Sequence, residues 1–222
     1  MKISDQTLNI LKNFAGINAS ILVKPGSVIK TLSPQQHIMA VAEVGEDFKT
    51  PFAIYDLSNF LAAVSLMDQP DFDFSDRSVK ISSGRHSIKY FFAEPSMIKA
   101  AGDKKVVLPS VDISFDVTQK QLQDVLRAAS VLQVPDIAVI GSEGTAKLSA
   151  TDTKNRDSNS FDLDVEVSSD ADFKFIFKAE NLKIIPGDYK VEICAKGIAR
   201  FYNEALKLEY FIAIDSSSEY HG

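Results

Sequence analysis

One amphipathic plan occurs twice in this chain, and the repetition limits the folds open to it more than any other feature. In Thr118 to Gln133 (TQKQLQDVLRAASVLQ), Leu122, Val125, Leu126, Ala129 and Leu132 recur at the i, i+3, i+4, i+7 spacing of one helical face. Lys120, Asp124 and Arg127 share a different stripe. Leu8 to Asn18 follows the same plan: placing Leu11 on Leu126 puts Lys12 on Arg127, Ile17 on Leu132 and Asn18 on Gln133. Both helices precede a strand, a Gly turn and another strand. A second pair of helices also corresponds, with Ile54, Tyr55, Asn59 and Phe60 aligning with Ile176, Phe177, Asn181 and Leu182. The chain reads as two copies of one unit, each carrying a basic point on a helix braced by a sheet.

The expected order in the first unit is a helix over 5–17 capped by Ser4, then strands over 20–23 and 27–32 around a Pro25-Gly26 type II turn. A strand over 37–44, a polar loop over 45–50, a short strand over 51–55 and a helix over 56–66 follow. Three short strands over 71–75, 79–82 and 87–92 complete it. Residues 93–109 break the periodicity with Pro95, Gly102, Lys104, Lys105 and Pro109, and form a connector. The boundary is set at 1–108 and 109–222. The second unit repeats the order: a strand over 112–117, the helix over 118–133, a hairpin over 136–151 and a strand over 161–167. A strand over 172–177 and a short helix over 179–184 precede Pro186-Gly187, strands over 188–214 and a frayed tail from Ser216.

Charge and motifs exclude several function classes. The net charge of −6 argues against a general nucleic-acid binder, but its distribution is uneven. Residues 1–108 carry 12 Lys/Arg and 11 Asp/Glu, whereas residues 109–222 carry 12 and 19. Halves built alike but charged unlike suit a head-to-tail contact between copies. The single cysteine, Cys194, allows neither an intrachain disulfide nor a Cys-rich zinc site, and its strand alternation makes it a buried, inert thiol. No Walker loop, GxSxG or dinucleotide fingerprint is present, and His37, His86 and His221 lack metal spacing. Asp71, Asp73 and Asp76 lack the Gly and distal Glu of a calcium loop and read as a polar strand face. No cofactor or metal and no enzymatic activity are expected. Without an apolar run of spanning length or a signal sequence after Met1, a soluble intracellular protein is expected.

The segments LKNFAGIN (Leu11–Asn18), AIYDLSNFL (Ala53–Leu61), LQDVLRAASVLQ (Leu122–Gln133) and PGDYK with the following AKG (Pro186–Gly197) resemble the DNA sliding clamps of T4-type bacteriophages. The order of elements resembles that family as well. The resemblance implies an α+β fold of two similar clamp domains, with antiparallel sheets outside and two helices per domain inside. Three such chains would close a homotrimeric ring around duplex DNA. It further implies a non-enzymatic processivity factor that tethers the replicative DNA polymerase and is opened by an ATP-dependent clamp loader. Such a factor would support late transcription through transcription factors, in the cytoplasm of the infected bacterial host, without membrane attachment. The competing class is a non-catalytic structural or assembly subunit of a phage particle.

A sliding tether must attract phosphate without reading bases, because base-edge hydrogen bonds would create stopping points. Lys12, Lys120 and Arg127 are the leading DNA-facing candidates, followed by Lys2, Lys178 and Lys183. Asp124 lies between Lys120 and Arg127 and Asp5 two turns before Lys12, so such a lining is only weakly positive. Phe161 to Val167 alternates acidic and apolar residues. The resemblance pairs this strand with Ser87–Phe92 of another copy, giving Arg85, Ser87, Lys89, Phe91, Phe161, Asp162 and Asp164 as subunit-interface candidates. It also places a hydrophobic partner-peptide pocket beside the connector, with Val107, Leu108 and Pro109 at the rim and Tyr210 and Ile212 as floor.

Overall fold

The computed structural model describes residues 1–103 and 105–222; Lys104, within the expected connector, lies outside them. The chain divides into two compact units. The first is Met1–Asp103 with Ala205–Leu208, and the second runs from the connector to Glu204 and resumes over Glu209–Gly222. No helix among the described residues is long and apolar enough to cross a membrane.

The first unit contains α1 (Asp5–Ile17), β1 (Ile21–Val23), β2 (Gly26–Leu32), β3 (Ile38–Phe48), β4 (Phe52–Ile54), α2 (Leu57–Ser65), β5 (Asp71–Phe74), β6 (Ser78–Ser83) and β7 (His86–Phe91). β1 pairs antiparallel with β4, β2 with β3, and β5, β6 and β7 form a sheet in that order. α1 forms where expected because Ser4 caps it, accepting from the Thr7 amide, while Ile10, Leu11, Phe14 and Ile17 bury its apolar face. Asp56 caps α2 in the same way, accepting from the Asn59 amide at 2.8 Å.

β3 is longer than expected. Gly45, Glu46 and Asp47 look like loop residues, yet strand alternation continues to Phe48 and turns Glu46 inward. The Glu46 carboxylate accepts from the Ser4 amide and the Thr7 hydroxyl, each at 2.5 Å. Burial alone would raise this carboxyl, but the bonds from Thr7 and Ser4 outweigh it and hold the group below its ordinary value. A buried acid in mid-strand is thus the anchor for the first turn of α1.

The second unit contains β8 (Ile113–Val117), α3 (Gln119–Leu132), β9 (Asp136–Ser142), β10 (Thr145–Thr151), β11 (Phe161–Val165), β12 (Asp172–Lys178), β13 (Tyr189–Cys194), β14 (Ile198–Asn203), β15 (Leu208–Ala213) and β16 (Glu219–His221). One sheet has the order β11-β10-β9-β12-β16, and another runs β15-β14-β13-β8. Thr118 and Gln121 form a reciprocal capping box on α3, and Gln133 ends it in the left-handed region at φ 55°. The buried α3 residues Leu122, Val125 and Ala129 occupy the positions that Thr7, Ile10 and Phe14 occupy on α1. The two helices therefore repeat in burial as well as in wording.

Two expectations fail here. The helix expected over 179–184 is a single 3-10 turn, Ala179–Asn181: Leu182 leaves helical geometry with ψ 49°, and Pro186 follows. The second unit therefore has one α-helix where two were expected. The expected frayed tail instead forms β16, which pairs with β12 and stacks Tyr220 on Phe175 at 6.0 Å. Ser218 fastens the tail further by accepting from the Ile176 amide at 2.9 Å.

Gly141 marks the tightest backbone approach in that sheet. A Cβ there would lie 2.3 Å from the Phe173 ring, itself buried. Gly141→Ala is expected to destabilise the chain by about 1–3 kcal/mol, read from the urea midpoint, because the buried Phe173 ring must shift to make room for the methyl group.

Candidate nucleic-acid interface

The cation stripe follows from helical geometry: residues opposite the buried face of α1 and α3 project into solvent. Lys12 and Arg127 are both exposed, and neither makes an ion pair among the described residues. They occupy matching positions on the two helices. Lys2 and Lys12 line one cleft of about 620 Å³ together with Asp5, Glu46 and Asp68. Lys2 donates to the Gln69 carbonyl at 2.9 Å and lies 3.7 Å from Asp71.

The remaining candidate cations are differently placed. Lys120 is 2.5 Å from Asp124 one turn along α3, so its charge is locally offset. Lys183 is exposed beyond the 3-10 turn. Lys178 is half-buried, bonded to the fully buried Asp136 at 2.5 Å and lying 3.3 Å from Asp215. Asp136 also accepts from the Thr153 amide and hydroxyl. Burial works against the Asp136 anion, but the Lys178 and Thr153 bonds prevail and lower its pKa. The bond to Asp136 raises the Lys178 ammonium above its ordinary value. This ion chain ties β9, β12 and the segment after β15. Sequence spacing gave no hint of it, because its members lie far apart along the chain.

The two strands proposed as subunit edges are both terminal in their sheets. β7 pairs on one side only, with β6, and β11 on one side only, with β10. On β7, Arg85 lies in the preceding turn, Ser87, Lys89 and Phe91 share one face, and the Lys89 ammonium sits 5.0 Å from the Phe91 ring centroid. On β11, Asp162 is held by Lys147 and Ser149, each at 2.6 Å. Burial raises the Asp162 carboxyl, and these two bonds more than reverse the effect. Asp164 makes no ion pair or side-chain hydrogen bond among the described residues. It lines a cleft of about 710 Å³ with Asp116, Glu166 and Lys190. Phe161 is half-buried on the opposite face of β11.

Beside the connector, Val107 is 72% exposed, Leu108 half-buried and Pro109 exposed. Tyr210 and Ile212 are fully buried, so neither offers a surface to a peptide. The Tyr210 hydroxyl accepts from the Ile185 amide and Tyr189 donates to the Ile185 carbonyl, which fixes the Pro186-Gly187 turn. Both tyrosines are raised above their ordinary pKa by burial. No group of three or more metal-ligating side chains occurs among the described residues.

Two family models cover most of the chain. Residues 3–99 match "DNA polymerase processivity factor", and residues 114–216 match "gp45 sliding clamp, C terminal". The sliding clamp of Vibrio phage KVP40 is 36% identical over 222 residues, covering 97% of this chain and all of that protein. The sliding clamp of Enterobacteria phage T4 is 31% identical over 229 residues, covering 98% of each. Among solved structures, the PCNA2-PCNA3 complex of Sulfolobus tokodaii aligns with a TM-score of 0.70 at 11% identity, over 95% of this chain and 96% of that one. The Helicobacter pylori beta clamp aligns at 0.68 and 18% identity, over 98% of this chain and 66% of that one. These last two likenesses are of fold.

Proposed function

The chain belongs to the sliding-clamp family of T4-type phages, the DNA polymerase processivity factors, and on that premise we propose that it encircles duplex DNA as a closed ring of three copies. The observation that carries this reading is the matched pair Lys12 and Arg127. Two helices, each braced by antiparallel sheet, present at the same helical position one exposed cation that makes no ion pair among the described residues. Such cations attract phosphate without reading sequence, and they leave the tether free to move. Lys183 adds to the same field, and Lys2 and Lys120 contribute less because Asp71 and Asp124 lie beside them. Lys178 is engaged by Asp136 and Asp215 and contributes to the fold of its unit instead.

The clamp is non-catalytic: it holds the replicative polymerase on the template, and an ATP-dependent loader opens it. It acts in the host cytoplasm and also serves late transcription. Residues 1–108 and 109–222 are its two domains. The β7 edge of one copy meets the β11 edge of the next, a heterologous contact that closes after three copies. Val107, Leu108 and Pro109 supply the apolar rim for partner peptides. A structural subunit of a phage particle would not account for the full-length similarity to processivity factors.

The decisive experiment is retention on circular against linear DNA. Protein loaded on nicked circular duplex is expected to stay bound through gel filtration in high salt. It is expected to leave after one double-strand cut, and to lengthen polymerase runs only when loaded. Equal retention on cut and uncut DNA would overturn encirclement.

A further inference from the structure

The charges left over on two sheet edges specify how copies join. On β7, cross-strand pairing sets Lys80 opposite Lys89, and on β5 it sets Asp73 opposite Lys80. Like charges directly opposite are unfavourable unless a further anion lies within reach. Asp73 lies opposite Lys80 on the other side, whereas Lys89, at the open edge, makes no ion pair among the described residues and lies only over the Phe91 ring at 5.0 Å. On β11 the situation is inverted. Lys147 lies opposite Asp164 but bonds Asp162, which leaves Asp164, at that open edge, without an ion pair among the described residues.

We propose that Lys89 of one copy sits directly opposite Asp164 of the next, and that this pair fixes the register of an antiparallel β7–β11 junction. The proposal rests on the reading that these two edges meet. Antiparallel pairing of Lys89 with Asp164 also sets Ile88 opposite Val165, Tyr90 opposite Leu163 and Phe92 opposite Phe161. Each of these is an apolar or aromatic residue on the face away from the charges. Tyr90 already packs against Phe60 of α2 at 5.1 Å, and β11 lies against α3, so the shared face is the helix-covered one in both units. Sliding by two residues in one direction sets Lys89 against Asp162, which Lys147 already neutralises. Sliding the other way sets it against Glu166, beyond the end of β11, and leaves Phe161 without an apolar partner. A slip by one residue would oppose charged to apolar faces throughout.

Disulfide trapping reads this register directly. Residues opposite each other in an antiparallel pair lie about 4.5–5.5 Å apart, within disulfide reach, whereas diagonal neighbours do not. The native Cys194 is buried and does not compete. Lys89→Cys combined with Asp164→Cys is expected to give covalently linked copies on mild oxidation, at least tenfold faster than Lys89→Cys combined with Asp162→Cys or Glu166→Cys. In parallel, Lys89→Glu or Asp164→Lys alone is expected to raise the concentration for half-assembly roughly tenfold, with the double exchange recovering most of it. Faster trapping through position 162 or 166 would overturn the register while leaving the edge junction standing. No trapping from any pair, in an assembly of unchanged mass, would overturn the junction itself.

Discussion

Asp136→Ala is expected to lower the stability of the chain by about 2–4 kcal/mol, one of the largest losses any single substitution here would produce. The carboxylate is fully buried and is the acceptor for Lys178 and for both donors of Thr153. Removing it strands both Thr153 donors and takes from Lys178 its nearest partner. The loss stays below the upper range for broken buried pairs because the Lys178 side chain is 30% exposed and keeps Asp215. Asp136→Asn preserves shape and one acceptor and is expected to lose about half as much. Urea denaturation followed by circular dichroism measures both, and equal midpoints for wild type and Asp136→Ala would remove the ion chain from the account of this fold.

The same cluster sets a pH dependence. The Ser217 bonds and the Lys178 ammonium hold Asp215 down at about 2, and Asp136 is lowered as well. A carboxyl whose folded pKa lies below its unfolded value of about 3.9 stabilises the fold fully above that value. That contribution is lost as pH falls through the folded pKa. Lys178, raised above its ordinary value, contributes below about pH 10.4 and loses that contribution at more alkaline pH. Wild-type stability should therefore fall between about pH 4 and pH 2, and Asp136→Ala should show a shallower acid limb over the same window.

The repeat was legible because it is written in local terms. The helix cap at Ser4, apolar spacing on α1 and α3, and the Gly turns each act within a few residues, so the sequence order carries them. What escaped was long-range. Glu46 reads as loop because a carboxylate in mid-strand has no local reason to be there, and its reason lies at Ser4 and Thr7. Lys178 reads as one more surface cation, since nothing near it in sequence announces Asp136. The tail reads as frayed because three residues pair only when an edge such as β12 is offered to them. Tyr210 and Ile212 alternate with other apolar residues, and alternation alone does not tell an inner face from a pocket floor.

The second large effect is electrostatic. Lys12→Glu combined with Arg127→Glu is expected to weaken low-salt DNA binding by the assembled ring on the order of 10- to 100-fold, and to flatten its salt dependence. On the proposed reading, each reversal replaces an exposed attraction to phosphate with repulsion, and every copy of the proposed ring carries both. The overall charge is already −6 per chain, so little attraction remains elsewhere to compensate. In the proposed closed ring, departure from circular DNA should be unchanged, since leaving would require opening and not desorption. Arg77→Glu with Lys196→Glu makes the same change in net charge at two other exposed positions and is the control. If that control weakens binding as much as the helix pair does, net charge and not the helix stripe governs attraction. If the helix pair also speeds departure from uncut circles, contact energy and not closure holds the protein on DNA, and the tether must be understood as an ordinary binder.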